Sequence, residues 1–246
     1  MLMLSLFGLL FLLMFLGVPV SVALGASTLI TAYFFADMDL VGIVSHVFDG
    51  LNKYSLMAIP MFILAGSFLS KGGAAKRIIE FAKSIVGHLP GGLPISAIFA
   101  SMIFAAVSGS SPATVAAIGS VMFTAIKEAG YPQGYAIGTI ATSGSLGILI
   151  PPSIVFIVYG VTADLSIGKL FMAGVIPGLL IGFMLMALTY IGALRLGFKK
   201  QKPASFKERL IKFKEAFWAL MLIVIVIGGI YGGIFTPTEA GAASAV

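Results

Sequence analysis

The residues of this chain with chemistry to offer are hydroxyls and glycines, not acids, bases or thiols. Two stretches concentrate them. In "VSGSSPATV" the residues Ser108, Ser110 and Ser111 surround Gly109 and precede Pro112, in the middle of 43 consecutive residues, Ser84 to Ile126, without Asp, Glu, Lys or Arg. In "IATSGSLGILIPPSIVFIVYG", residues 140–160, four hydroxyls (Thr142, Ser143, Ser145, Ser153), two glycines (Gly144, Gly147) and two prolines (Pro151, Pro152) fall within twelve positions. Neutral, oxygen-rich sites of this kind suit a hard monovalent cation, whose hydration shell carbonyls and hydroxyls replace. A proton relay normally uses carboxylates or histidines inside the membrane, and no Asp, Glu or His lies deep in an apolar run here. Sodium coupling is therefore the expectation. Free N–H groups at helix starts near Ser111–Thr114 and Pro151–Ile154 are able to receive an anion. Ser110, Ser111 and Pro112 on one side, and Ser143, Ser145, Pro152 and Ser153 on the other, form the candidate substrate-binding set.

Hydrolytic chemistry fits poorly. An intramembrane serine protease would pair a serine such as Ser110 with a histidine, and the only two, His46 and His88, fall at the edges of apolar runs. The absence of Cys excludes disulfides, thiolate metal sites and cysteine nucleophiles.

These stretches must be held by a membrane scaffold. The 246 residues are 59% hydrophobic and 10% charged, with a mean hydropathy of +1.12; a soluble domain carries about 25% charge. The chain is read as an all-α polytopic membrane protein. Its beginning, "MLMLSLFGLLFLLMFLGVPV", lacks a basic leader and reads as a first span, not a cleaved signal peptide. The net charge of +6 does not indicate a nucleic-acid partner, because the charges lie between the apolar runs or at their ends.

Charge placement gives a trace. Residues 195–214 hold eight of the fifteen basic residues, and loop 71–83 is also basic; such loops stay in the cytoplasm. Segment 37–53, with Asp37, Asp39 and Asp49, reads as an external amphipathic stretch, with a surface helix near 38–52. Residues 54–70 then run inward, 133–160 outward and 170–194 inward. Run 84–126 leaves the inner face and returns to it. The first 36 residues reverse at Gly17 and Pro19, which puts the N-terminus outside.

The run 84–126 is read as a re-entrant hairpin, 91–128, with arms 91–107 and 112–128. Its tip carries none of the charged or Asn/Asp residues of a surface loop, and non-helical backbone at membrane depth requires protein or a cavity around it. Ser111 is expected to cap the second arm, with Pro112 at its first position. Residues 133–160 are read as a discontinuous helix, with a proline-kinked span as the milder alternative. Further, "LGVPVSVALGAS" at 16–27 resembles "FTPTEAGAASAV" at 235–246, with opposite expected direction. That is the mark of an inverted repeat, in which 1–212 is one unit and Trp218 begins the next. The chain is then expected to be roughly the first half of a longer polypeptide. Glu239 is expected to cap the helix that follows Pro237. The organisation is taken as scaffold helices in 1–70, a transport portion in 71–168, and a scaffold helix, basic loop and start of the second repeat in 169–246.

The motifs "VSGSSPATVAAIGSVM", "SGSLGILIPPSIVFIVYG" and "GGIFTPTEAGAASAV" closely resemble the large membrane subunit of TRAP (tripartite ATP-independent periplasmic) transporters of the DctM or SiaM type, and the resemblance covers the whole chain. It implies sodium-driven uptake of an organic acid, a C4-dicarboxylate or sialic acid, across the bacterial inner membrane. It implies two partners, a small four-helix membrane subunit and a periplasmic substrate-binding protein. It also implies an inverted-repeat, elevator-type fold like that of the ion transporter superfamily. Carried over residue by residue, the first sodium (Na+) site would use Ser108 and Ser110 at the hairpin tip and the carbonyls of Gly144, Gly147 and Ile150, with Ser145 and Pro151 close by. The remaining ligands would lie in a second repeat beyond this chain, where a carboxylate able to carry protons is also possible. No Arg lies within the spans, so a cation facing a substrate carboxylate is expected in that second repeat, unless recognition relies on N–H groups and hydroxyls. A cation or anion channel is the rival reading and would require a continuous pore; a passive scaffold subunit would not need an oxygen-rich hairpin.

Overall fold

The computed structural model describes residues 2–36 and 38–245. Asp37, from the acidic stretch, and Val246, at the end of the last apolar run, lie outside the described residues. Among the described residues every regular element is a helix, in two compact units, 1–53 and 54–246.

In the first unit, α1 (Leu2–Phe15) and α2 (Val20–Phe35) are separated at the expected point. Gly17 adopts φ +80°. Its N–H donates to Met14 O (3.0 Å), and that of Val18 donates to Leu13 O (3.1 Å). This paired closure satisfies the last carbonyls of α1 and needs the left-handed conformation that glycine supplies; Pro19 then leads α2. The stretch read as a surface helix is α3 (Leu40–Leu51), which Asp39 caps by accepting from Gly42 N–H at 3.2 Å.

In the second unit, a 3-10 turn (Tyr54–Met57) leads into α4 (Ala58–Lys71), followed by α5 (Ala74–Val86). The basic stretch 71–83 is thus largely a helix, not a loop. Apolar residues at 74, 75, 78, 79 and 82 recur with helical period and are buried, leaving Lys76, Arg77 and Glu80 on the other faces. Next come α6 (Gly92–Ser108) and α7 (Ser111–Glu128), then α8 (Gln133–Gly144), the single turn α9 (Leu146–Leu149) and α10 (Ile154–Thr162). The chain continues through α11 (Ile167–Arg195), α12 (Phe206–Tyr231) and α13 (Pro237–Ala245). The basic segment 195–214 is likewise only half loop. Ser205 accepts from Glu208 N–H at 3.2 Å and starts α12 there, a Ser-x-x-Glu signature that charge density hides.

The core forms around α6, of whose 17 residues 14 are buried; a helix apolar all round belongs inside. Phe104 packs with Ile78, Ile79, Ile118 and Met122, and Met102 with Ile98, Leu146 and Ile150. Lipid is as apolar as these side chains, so close van der Waals packing, not expulsion from water, holds them together. Along α11 the glycines 174, 178 and 182 make one face on which the broken segment rests. A Cβ at Gly174 would lie 2.7 Å from Leu149 O, one at Gly178 2.8 Å from Ile150 Cγ1, and one at Gly182 2.6 Å from Met102.

Among the described residues, Tyr54–Lys71 and Ile167–Arg195 are long and apolar enough to cross a membrane. The pair Gln133–Leu149 and Ile154–Thr162, bent by 41°, makes a third if it counts as one span. By contrast α6, at 17 residues, extends only about 25 Å, short of the roughly 30 Å hydrocarbon core.

At the start of α13, Thr236 and Glu239 cap reciprocally. Thr236 N–H donates to Glu239 Oε2 at 2.8 Å, and Glu239 N–H donates to Thr236 Oγ1 at 3.3 Å, the closed box expected of this spacing. Thr236→Ala should therefore lower stability by about 1 kcal/mol, read as a reduced thermal midpoint, with Thr236→Ser close to wild type.

Candidate functional site

The hairpin turns in two residues. α6 ends at Ser108, Gly109 takes φ +58°, and Ser110 is extended (φ −137°, ψ 124°) before α7 begins. The residue at the cap position of the second arm is thus Ser110, not Ser111. Ser111 already has helical backbone, with Pro112 behind it. The Ser110 side chain makes no capping bond; its backbone carbonyl is used instead. Thr114 N–H (3.1 Å) and Thr114 Oγ1 (2.9 Å) both donate to Ser110 O. Ser108 Oγ lies 3.0 Å from Thr114 Oγ1 and 3.4 Å from Ser110 O. Three oxygens, two hydroxyls and one carbonyl, are therefore gathered within one turn, with Ser108 and Thr114 buried. From sequence Thr114 entered only as the end of the helix start Ser111–Thr114, not as a cation ligand. Its signal is the four-residue step from Ser110, which returns a hydroxyl to the tip.

The discontinuous helix meets this tip, but its break lies later than the glycines suggested. Gly144 and Gly147 both have helical backbone, joined through Ser145 (φ −61°, ψ −21°) by tighter three-residue steps: Ser145 N–H to Thr142 O and Ile148 N–H to Ser145 O, each 3.2 Å. The helix opens only at Ile150 (φ −80°, ψ 120°) and resumes after Ser153, across a cis Pro151–Pro152 bond. The prolines and not the glycines break it, since proline lacks the N–H and clashes with the preceding turn. The glycines provide close approach. A Cβ at Gly147 would lie 2.7 Å from Ser110 C and O and 2.8 Å from Ser111 N. A Cβ at Gly144 would collide with Val115. From the other side, Ile154 N–H, at the start of α10, donates to Gly109 O at 3.1 Å.

The structure therefore brings together Ser108, Ser110 and Gly147, with Ile150, Pro151 and Pro152 buried close by in the same break. Other candidates are occupied elsewhere. Ser143 is fully buried and lies 3.0 Å from Ser101 Oγ, strapping α8 to α6. Ser153 Oγ donates to Ile148 O at 2.8 Å and closes the break. Ser145 Oγ turns back to Thr142 O at 2.7 Å. Ser111 and Pro112 lie on the outer side of the first turn of α7, partly or fully exposed. A cavity of about 210 Å³ adjoins the tip, lined in part by Ser108, Ser110 and Gly66. α4 comes close enough for a Cβ at Gly66 to lie 3.2 Å from Ser108 Cα.

A helical hairpin held by glycine contact against a proline-broken helix fits the discontinuous-helix construction of transporters, and comparison with known proteins gives the family. Residues 7–246 match the family described as tripartite ATP-independent periplasmic transporter, DctM component; this chain belongs to that family. It is 48% identical to the C4-dicarboxylate TRAP transporter large permease protein DctM of Rhodobacter capsulatus, over 99% of this chain and 58% of the relative. It is 49% identical to the protein of the same name from Vibrio cholerae, over 95% and 52%. It is 44% identical to the isethionate TRAP transporter permease protein DctMQ of Oleidesulfovibrio alaskensis, over 98% and 38%. The chain spans about half the length of the curated relatives it matches. These relatives are permeases, which favours neither an enzyme nor a channel.

Proposed function

We propose that this chain forms part of the large permease of a TRAP system in the bacterial inner membrane, with its N-terminus on the periplasmic side, and that the system imports an organic anion using an inward sodium gradient. The anion is of the C4-dicarboxylate or sialic acid type, delivered by a periplasmic binding protein, and a small four-helix membrane subunit completes the complex. The observation that carries the reading is the oxygen cluster of Ser108 Oγ, Thr114 Oγ1 and Ser110 O, held against Gly147 and the 150–153 break. All its donors are neutral oxygens, the chemistry that replaces the hydration shell of a monovalent cation. A dicarboxylate agrees with the names of the two DctM relatives, and an anion in general agrees with the isethionate relative. In the mechanism proposed, the hairpin and broken helix move as one body because they are joined backbone to backbone. The ion, as co-transported substrate, stabilises the tip next to the organic anion, and the body carries both across as an elevator.

The test is uptake into proteoliposomes by the complete large permease with its small subunit and binding protein. Uptake should saturate and require inward sodium, and Ser108→Ala, which removes one of the three gathered oxygens, should raise the half-saturating sodium concentration several-fold. Uptake driven by a pH gradient and indifferent to sodium would sink this reading.

A further inference from the structure

The cavity beside the hairpin tip carries more polarity on its α4 wall than the oxygen cluster explains. Ser67, Ser70 and Lys71, spaced so as to share one helix face, line it opposite Ser110. Ser108 spends its hydroxyl on Thr114. Ser67, Ser70 and Lys71 are exposed to this space and Ser110 is half-buried beside it, and among the described residues of this chain neither their hydroxyls nor the Lys71 ammonium is engaged by a hydrogen bond or an ion pair. Lys83 and Lys212, by contrast, are paired with Glu80 and Glu215 at 2.9 and 3.0 Å. The wall is brought there by Gly66, whose missing side chain lets α4 approach the tip. At about 210 Å³ the space far exceeds the roughly 10–15 Å³ that one water requires and has room for a small organic ion.

We infer that this cavity is a carboxylate subsite in which Lys71 provides the counter-charge and Ser67, Ser70 and Ser110 donate hydrogen bonds, so that Lys71 selects anions over neutral solutes. The inference rests on the transport reading above and extends it to a cation carried by this chain itself, where the sequence pointed to a second repeat. An ammonium is a compact point charge with three donors, and charge-assisted bonds to a carboxylate are about twice as strong as neutral ones. A bland alternative exists. Lys71 lies in the last turn of α4, where a cation also complements the helix dipole, and the experiment separates the two.

The experiment uses the complete large permease with its small subunit, purified without binding protein. Thermal midpoints are followed against rising succinate, malate and pyruvate, with neutral succinamide as control. At least one acid should stabilise wild type while succinamide does not. Lys71→Gln should raise the concentration of that acid giving half-maximal stabilisation about tenfold or more, one factor of ten being about 1.4 kcal/mol. Lys71→Arg should recover most of it. The midpoint without ligand should hardly move. A lysine acting only on the helix dipole would lower the unliganded midpoint and leave the acid dependence unchanged, and that result overturns the proposal. So does a wild type stabilised by none of the acids, or equally by succinamide. Were Lys71→Gln not to fold, the double variant Ser67→Ala, Ser70→Ala, which keeps the charge, should still raise the same concentration several-fold, and no change would overturn the proposal. Sodium-driven uptake, measured in parallel, judges the transport reading separately: uptake that persists while Lys71 proves indifferent discards only the subsite.

Discussion

Gly147→Ala should abolish sodium-driven uptake, a larger effect than the loss of any single hydroxyl at the hairpin tip. The added methyl would sit 2.7 Å from Ser110 C and O and 2.8 Å from Ser111 N. Those atoms are backbone, so no side-chain rotamer relieves the contact. Overpacking in a well-packed interior costs about 1–3 kcal/mol, and here it is relieved only by separating α9 from the tip. A shift of about 1 Å at a positioned site is enough to cost roughly a hundredfold in function. Uptake should fall by that order, with the thermal midpoint of the purified permease also reduced. Gly134→Ala provides the control. It lies on α8 of the same broken segment with nothing within 4 Å of a new Cβ, and it should transport like wild type. If Gly147→Ala transports normally, the hairpin and broken helix do not need to touch.

The second large effect is expected at Thr114. Its side chain is fully buried, donates to Ser110 O at 2.9 Å and lies 3.0 Å from Ser108 Oγ. Thr114→Val keeps the volume and removes the hydroxyl, so packing is preserved while Ser108 Oγ loses its 3.0 Å neighbour and Ser110 O keeps the backbone N–H of residue 114 but loses the hydroxyl bond. Leaving a buried acceptor short of its bond costs about 1–3 kcal/mol. On the transport reading the same change removes one of the three gathered oxygens. The half-saturating sodium concentration should rise about tenfold, while Thr114→Ser, which restores the oxygen, should stay close to wild type. A Thr114→Val protein that is destabilised yet unchanged in sodium dependence would make Thr114 a structural strut and move the cation elsewhere.

Much of the architecture was legible because glycine and proline act locally. Gly17 with Pro19, and Gly109 with Pro112, mark reversals that the chain makes within a residue or two of the expected place. The misreadings have physical causes too. Charge density made 71–83 look like a loop, although the period of Ala75, Ile78, Ile79 and Ala82 was helical. Ser111 was favoured as cap because it stands next to Pro112, yet the turn places Ser110 there and Pro112 second in the helix. Counting hydroxyls gave Ser143 a role at the site. Sequence carries no sign of which way a helical serine faces, and this one faces Ser101. Lys71 was passed over because it is distant along the chain from Ser110, and only the close approach at Gly66 brings the two to one cavity.

The glycine face of α11 carries a consequence for the lipid environment. The apolar run of α11, residues 170–194 between Lys169 and Arg195, is about 37 Å long, beyond the hydrocarbon thickness of roughly 30 Å. Such a helix answers hydrophobic mismatch by tilting, or by thickening the bilayer around it. Its glycines 174, 178 and 182 bear on Leu149, Ile150 and Met102, so any change of tilt is delivered to the proline break and to the interior helix behind the hairpin. Acyl-chain length is thereby expected to act on the proposed site: thin membranes should lean α11 over, thick ones stand it up, and the break at 150–153 is where that lean should be felt.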